Sequence, residues 1–232
     1  MTSTDTPVVA VVVAAGSGSR LGAPVPKALV EVGGVALVRR SVDALADAGV
    51  QQVVVTIPAG MAAEFDGVLA GARVRVRTQV GGAIRQESVR LGLEALDAPA
   101  DAVVLVHDAA RALVPPAVVE RVAAAILDGA EAAIPVLPVV DSIRRVTDDG
   151  SVVVDRAPLR AVQTPQGARV GPLLRAHERC AVDGVEVTDD AAACEVAGLR
   201  VTLVEGHRDA LKITEPIDLI LAEAILAERN QS

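Results

Sequence analysis

The chain has 232 residues, of which 51% are hydrophobic and 22% charged, the balance of a folded globular domain rather than of a disordered chain. Its 22 lysine and arginine residues are outnumbered by 30 aspartate and glutamate residues, and the net charge of −8 excludes the broad basic surface of a nucleic-acid-binding protein. Phe65 is the only Phe, Tyr or Trp residue, which also excludes aromatic platforms that stack single-stranded bases.

Targeting, membrane and metal-cage signals are absent from the sequence. No apolar run reaches the ~18 residues that span a bilayer, and the polar start before Val8 lacks the basic residues of a secretory signal. Cys180 and Cys194 are too few and too far apart for a thiolate zinc cage or a disulfide scaffold. The sequence therefore predicts a cytoplasmic protein that binds neither nucleic acid nor membranes.

Apolar strands alternate with amphipathic helices along most of the chain. Apolar β-branched runs predict strands at 8–13, 53–57, 103–106, 132–136 and 200–204. Helical periodicity predicts helices at 36–48, 61–70, 86–96, 116–127, 170–181, 189–197 and about 215–228. This alternation predicts an α/β fold, a single Rossmann-like domain over 1–232 with a mostly parallel central sheet flanked by helices. Ligands bind such sheets beyond the carboxyl ends of the strands.

One segment, 138–160, breaks the alternation. It contains two predicted strands within 139–156, and the pair Asp149-Gly150 between them is a hairpin turn signal. An isolated two-stranded hairpin is only marginally stable in water. We therefore predict that 138–160 is a projecting β-hairpin arm that packs on a second subunit.

A glycine-rich loop, residues 14–22, directly follows the first predicted strand. Three glycines let its backbone N–H groups approach phosphate oxygens. Arg20 adds a planar cation suited to phosphate, and Lys27 follows as a second cation. The loop therefore predicts a phosphate site, with a flexible surface turn as the alternative.

Two common phosphate motifs fit this loop poorly. It lacks the Gly-Lys-Ser/Thr ending of a P-loop. In the dinucleotide fingerprint the third glycine comes three residues after the second, whereas Gly22 comes four residues after Gly18. The second predicted strand ends at Ile57 without the acidic residue that would hold a ribose. A nicotinamide-dependent oxidoreductase is therefore a weaker alternative.

Further motifs accompany the loop and Lys27 along the chain. They are 81–89 (GGAIRQESV), 107–111 (HDAAR), 163–166 (QTPQ), 188–191 (TDDA) and 211–214 (LKIT). In this order the series closely resembles the 2-C-methyl-D-erythritol 4-phosphate cytidylyltransferase family of the non-mevalonate isoprenoid pathway, from about Val8 to Ala227.

The resemblance implies a reaction, a metal and an assembly. CMP passes from CTP to 2-C-methyl-D-erythritol 4-phosphate, which forms 4-diphosphocytidyl-2-C-methyl-D-erythritol and releases pyrophosphate, and the reaction requires Mg²⁺. The resemblance also implies a homodimer in which the arm of one subunit contributes to the neighbour's site.

The resemblance also implies roles for individual residues. Catalysis depends on four cations, which are Arg20, Lys27, Arg156 and Lys212. The CTP-binding residues are Ala14, Ala15, Gly16, Gly18, Gly82, Ser88 and Asp108, and Asp108 is also assigned to the metal, near the ribose. The residues around the acceptor are Arg111, Ser142, Thr164 and Thr188.

This chemistry requires no general base, because a phosphate monoester, with a second pKa of about 6, is already largely ionised at neutral pH. We therefore expect His107 to form structural hydrogen bonds rather than to move a proton. Two further alternatives stay open. One is a cytidylyltransferase for another polyol phosphate such as ribitol 5-phosphate, because the geometry near Arg111, Ser142 and Arg156 decides the acceptor. The other is a nucleotide-sensing module without turnover.

Overall fold

The computed structural model of the protein describes residues 6–16, 21–23 and 25–230. The strands are β1 (Val8–Val13), β2 (Glu31–Val32), β3 (Val35–Ala36), β4 (Gln52–Ile57), β5 (Arg75–Val80), β6 (Val103–Asp108), β7 (Ala132–Pro138), β8 (Ile143–Thr147), β9 (Gly150–Val154), β10 (Arg160–Val162), β11 (Gln166–Arg169) and β12 (Val201–Glu205). The helices are α1 (Leu37–Asp47), α2 (Ala62–Leu69), α3 (Arg85–Glu94), α4 (Pro116–Leu127), α5 (Val170–Asp183), α6 (Asp190–Val196) and α7 (Pro216–Arg229). Among these described residues, no helix has both the length and the apolar character needed to cross a membrane.

Eight of the strands form one central sheet. Strands β5, β4, β1 and β6 lie side by side and parallel. Strand β11 runs antiparallel between β6 and the first residues of β7, and β10 pairs antiparallel with the last residues of β7. Strand β12 lies parallel along the opposite edge of β7. The carboxyl ends of the parallel strands therefore meet at one edge of the sheet.

The apolar core covers both faces of this sheet. Successive residues of β1 point to opposite faces. Ala10 and Val12 belong to one apolar cluster, with residues of α1 and α4, whereas Val9 and Val11 belong to another, with residues of α3 and α5. Because helices cover both faces, β1 is a continuous apolar run rather than an alternating one. The predicted α/β fold, with a mostly parallel sheet flanked by helices, is confirmed.

The periodicity of the sequence does not reveal β5, β10 or β11. Strand β5 lies at the edge of the sheet, so Arg75 and Arg77 reach solvent and interrupt the apolar pattern. Strands β10 and β11 have only three and four residues, too few for a periodic pattern to develop. The antiparallel strands beside β7 are therefore additions to the predicted sheet.

The predicted hairpin within 138–160 is present as β8 and β9. These strands pair with each other in a two-stranded sheet of their own, and nearly all their residues are exposed. Thr147 pairs with Gly150, so the turn lies at 148–149 rather than at the predicted Asp149-Gly150 pair. Gly150 has a φ of +137°, a conformation that favours glycine, and it begins β9 instead of forming the turn.

Gly92 allows helix α3 to pack directly against the side chains of β1 and β4. A Cβ atom at Gly92 would lie 2.5 Å from Cγ1 of Val11 and 3.0 Å from Cγ2 of Thr56. We expect Gly92→Ala to lower the free energy of unfolding by about 1–3 kcal/mol, because the added methyl group overpacks this contact. Urea denaturation of the purified variant measures the change.

The matched control is Gly67→Ala in α2, where an added Cβ atom would meet no neighbouring side chain or segment within 4 Å. We expect this variant to gain about 0.5–1 kcal/mol, since alanine costs less backbone entropy than glycine in a helix. A Gly92→Ala variant as stable as Gly67→Ala would contradict the close-packing explanation.

Candidate active site

A cleft lies at the carboxyl edge of the sheet. Its lining comes from the loops after β1, β5 and β6 and from the segment between β12 and α7. Eight predicted site residues line the cleft, namely Ala14, Ala15, Gly16, Lys27, Gly82, Ser88, Asp108 and Lys212.

A second pocket adjoins the cleft. Three residues line both spaces, and we call them the shared wall: Arg85, Asp108 and Lys212. The predicted acceptor residues Arg111, Thr164 and Thr188 line the second pocket. The two spaces can therefore hold two ligands whose reacting groups meet at the shared wall.

The shared wall is a chain of ion pairs. Arg85 Nε lies 3.2 Å from Asp108 Oδ1, and Lys212 Nζ lies 2.7 Å from Asp108 Oδ2. Burial would raise the pKa of Asp108, but Arg85 and Lys212 hold that pKa well below its ordinary value. Asp108 is therefore an ionised carboxylate between two cations. Sequence reasoning did not single out Arg85, although it lies in the 81–89 motif, one helical turn before Ser88.

Both lysines of the chain lie at this site. The sequence contains 22 basic residues, of which Lys27 and Lys212 are the only lysines. Lys27 Nζ donates a hydrogen bond to the carbonyl oxygen of Ile213, 3.0 Å away, directly next to Lys212. The fold thus brings the ammonium group of Lys27 to the segment that carries Lys212.

The loop after β1 packs directly against the turn that begins α3. A Cβ atom at Gly81 would lie 2.6 Å from Cβ of Ala15 and 2.8 Å from Oγ of Ser88, so glycine lets the two segments meet. The Gly82 N–H donates to Ser88 Oγ at 3.1 Å, and Ser88 Oγ donates to the Ile84 carbonyl at 3.0 Å. These bonds fix the hydroxyl of Ser88 at the wall of the cleft.

Gln163 holds the segment that leads to Lys212, and sequence reasoning did not single it out. Its Oε1 accepts from the His207 N–H at 3.0 Å, and its Nε2 donates to the His207 carbonyl at 2.9 Å. Arg111 Nη1 donates to the Ala210 carbonyl at 2.7 Å. Arg111 therefore contributes to the wall of the second pocket and also holds this segment in place.

His107 is completely buried beneath the cleft. Its Nδ1 lies 3.1 Å from Oγ1 of Thr164, and the same oxygen accepts the backbone N–H of Asp108 at 3.1 Å. Burial lowers the pKa of His107 to about 4, so the imidazole is neutral at physiological pH. His107 fixes Thr164 from within the core. This environment is the one expected of a histidine that forms structural hydrogen bonds rather than moves a proton.

The remaining predicted residues lie elsewhere. Ser142 and Arg156 belong to the arm and line neither the cleft nor the second pocket of their own chain. The Arg156 guanidinium donates to the Val140 carbonyl at the base of the arm. Gly18 and Arg20 lie outside the described residues.

Comparisons with known proteins match the chain over nearly its whole length. A family model described as 2-C-methyl-D-erythritol 4-phosphate cytidylyltransferase matches residues 8–228. A relative of that name from Saccharopolyspora erythraea is 50% identical over 225 residues, which cover 95% of this chain and 99% of the relative. A relative of the same name from Corynebacterium glutamicum is 44% identical and covers 98% of this chain and 96% of its own.

Among solved structures, that of 2-C-methyl-D-erythritol 4-phosphate cytidylyltransferase from Thermus thermophilus matches with a TM-score of 0.78 and 38% identity, over 94% of this chain and 98% of that one. The structure of 4-diphosphocytidyl-2C-methyl-D-erythritol synthase from Anaerococcus prevotii matches with a TM-score of 0.84 and 26% identity, over 96% of each chain. The matches extend over nearly the whole length and include the segments that form the cleft, and the chain therefore belongs to the 2-C-methyl-D-erythritol 4-phosphate cytidylyltransferase family.

Proposed function

We propose that this protein transfers CMP from CTP to 2-C-methyl-D-erythritol 4-phosphate and releases pyrophosphate. The observation that supports this most directly is the shared wall, which gives the cleft and the second pocket one common boundary of Arg85, Asp108 and Lys212. A transfer between two substrates needs adjoining binding sites, because the α-phosphorus of one substrate must come into contact with the phosphate oxygen of the other.

Both substrates are polyanions, so charge is the main obstacle to their meeting. Lys27 lines the cleft, Arg111 lines the second pocket, and Lys212 lines both. Their positive charges offset the repulsion and stabilise the charge that develops on the transferred phosphoryl group. Arg20 would add a further cation from the glycine-rich loop.

We propose that Asp108 contributes to a Mg²⁺ site in the cleft. Within the described part of the chain, no three metal-ligating side chains cluster together. Mg²⁺ is commonly held by one or two carboxylates together with substrate phosphates rather than by a complete protein cage. Asp108 is ionised and lines the cleft. When bound, the metal would neutralise charge on the triphosphate.

The choice of lysine over arginine supports these roles for Lys27 and Lys212. Elsewhere the chain uses arginine for its basic residues. A lysine ammonium is a compact point charge, whereas a guanidinium is a planar fork that needs more room. At these two positions the site uses the smaller cation, which fits contact with single phosphate oxygens.

We further propose that the arm completes the site of a partner in a homodimer. Val146 and Val153 on the arm are 82% and 70% exposed. A two-stranded hairpin with such exposure gains stability by packing on another surface. Ser142 and Arg156 stand apart from the cleft of their own chain, as a contribution to a neighbouring site requires.

The cytoplasmic location stays a prediction.

We expect the purified protein, with Mg²⁺ and CTP, to release pyrophosphate with 2-C-methyl-D-erythritol 4-phosphate and not with ribitol 5-phosphate.

Lys27→Ala should lower the rate of pyrophosphate release by about 10²–10³ because it removes a cation that stabilises the transition state. Lys212→Arg should lower kcat by at least about tenfold, because the bulkier guanidinium cannot take the place of the ammonium group. A coupled pyrophosphate assay measures each rate.

Arg90→Lys is the matched control, because Arg90 pairs with Glu94 on α3 and lines neither space. It should keep the wild-type rate. Release with ribitol 5-phosphate alone would overturn the choice of acceptor, and CTP binding without release would favour a nucleotide-sensing module.

His107→Asn tests whether the buried histidine is structural. In the wild-type protein the unfolded histidine gains a proton below its ordinary pKa of about 6.5, whereas the folded one resists until about pH 4. The free energy of unfolding should therefore fall by about 2 kcal/mol between pH 7.5 and pH 5. The variant should lose this dependence in urea denaturation at the two pH values. A loss of kcat of about 10²–10⁴ without any change in this dependence would instead indicate a general base.

Subunit mixing tests the contribution of the arm. Arg156→Ala and Lys212→Ala should each be nearly inactive alone. If Arg156 acts in the partner's site, each mixed dimer has one intact site, and equal mixing with subunit exchange restores about a quarter of wild-type turnover per site. If Arg156 acts within its own chain, mixing restores nothing. The pyrophosphate assay measures turnover, and sedimentation verifies that the dimer forms.

A further inference from the structure

Asp190 is a buried carboxylate that lines neither the cleft nor the second pocket. Only 2% of its side chain is exposed. Its Oδ2 lies 2.8 Å from Arg85 Nη2, and its Oδ1 lies 3.1 Å from Nε2 of His177 on α5. Substrates held in the two spaces therefore meet Arg85, which lies between them and Asp190.

Helix capping does not explain this carboxylate. The N-cap of α6 is Asp189, whose Oδ1 accepts the Ala192 N–H at 2.9 Å. The backbone N–H of Asp190 is already satisfied by Oε1 of Gln166 at 2.8 Å. The side chain of Asp190 makes no hydrogen bond to its own helix, and its polar contacts are those to Arg85 and His177.

A buried carboxylate costs several kcal/mol unless it is paired and hydrogen-bonded. Burial would raise the pKa of Asp190, but the charge of Arg85 and the hydrogen bond from His177 hold it below its ordinary value, so the group is charged. The His177 contact fixes the carboxylate from α5 while Arg85 approaches from α3. Asp190 is thus a rigid anchor between two helices.

Arg85 transmits this anchoring to the shared wall. Its guanidinium is planar, so a bond that fixes Nη2 on Asp190 also sets the direction of Nε. That Nε is the atom that contacts Oδ1 of Asp108, whose other oxygen pairs with Lys212. The four side chains form a row of alternating charge from the core to the boundary between the two spaces.

We propose that Asp190 is a positioning residue for the cytidylyl transfer, which orients Arg85 and thereby sets the places of the Asp108 carboxylate and the Lys212 ammonium group. This inference rests on the proposed function for its kinetic consequence. Its structural consequence, the coupling of Asp190 to Lys212, is independent of any turnover.

Kinetics of Asp190→Asn, Arg85→Gln and the double variant test the pathway. Asp190→Asn keeps the shape of the side chain and removes its charge. We expect kcat to fall between about 10- and 100-fold, since a displaced catalytic group is costly, while KM for CTP stays within about threefold. Because Asp190 acts through Arg85, the double variant should be no slower than Arg85→Gln alone. Multiplied effects in the double variant would overturn the inference.

Amine labelling supplies a second measurement, because Lys27 and Lys212 are the only lysines. An acylating reagent and peptide mass spectrometry give the labelling rate of Lys212 relative to that of Lys27. In Asp190→Asn, Asp108 is the sole remaining carboxylate partner of Arg85. We expect the Asp108 carboxylate to turn toward Arg85 and away from Lys212. The released Lys212 should then label at least about three times faster relative to Lys27. An unchanged ratio would overturn the inference.

Asp43→Asn is the matched control, because Asp43 is a partly buried carboxylate that pairs with Arg39 on α1 and lines neither the cleft nor the second pocket. It should leave kcat and the labelling ratio at wild-type values. Asp190→Asn should keep a cooperative urea transition, which separates mispositioning from unfolding. An inactive wild-type protein would refute the proposed function, and the labelling ratio would still decide the coupling of Asp190 to Lys212.

Discussion

The ion pairs around Asp108 are the interaction on which the site depends. A carboxylate flanked by two cations keeps its charge at the end of a buried strand, where an unpaired one would be costly. The same pairing keeps two positive charges side by side at the boundary between the cleft and the second pocket. Arg85 and Lys212 can therefore be held close together before any substrate arrives, because Asp108 offsets their mutual repulsion.

The sheet supplies the geometry for this arrangement. Strand β6 ends at Asp108, beside β1 on one side and β11 on the other. Since β11 runs antiparallel, the residues just before it reach the carboxyl end of β6, and Thr164 can accept the backbone N–H of Asp108. Gln163, next to Thr164, holds the segment that carries Lys212. One short antiparallel strand thus connects the second pocket to the edge of the sheet that lines the cleft.

Sequence patterns predict the parallel sheet and the glycine-rich loop with Lys27, because buried strands are apolar runs and the loop follows the first of them. Gly82, Ser88, Asp108 and Lys212 are predicted only through the resemblance to the family. Arg85 is harder to identify because its importance lies in its partners. Asp108 and Asp190 are 23 and 105 positions away along the chain, and no local pattern records such pairs. Strand β11 escapes for a related reason, since four residues carry no period and their pairing is entirely nonlocal.

The shared wall also has a thermodynamic consequence. An anion bound in the cleft interacts with the ammonium group of Lys212, which also faces the second pocket. Occupancy of one space therefore changes the free energy of binding in the other. Linkage makes this effect reciprocal, so a ligand in either space alters the dissociation constant of a ligand in the other by the same factor. Cooperativity between two different ligands can thus arise within one chain, without a change of global conformation.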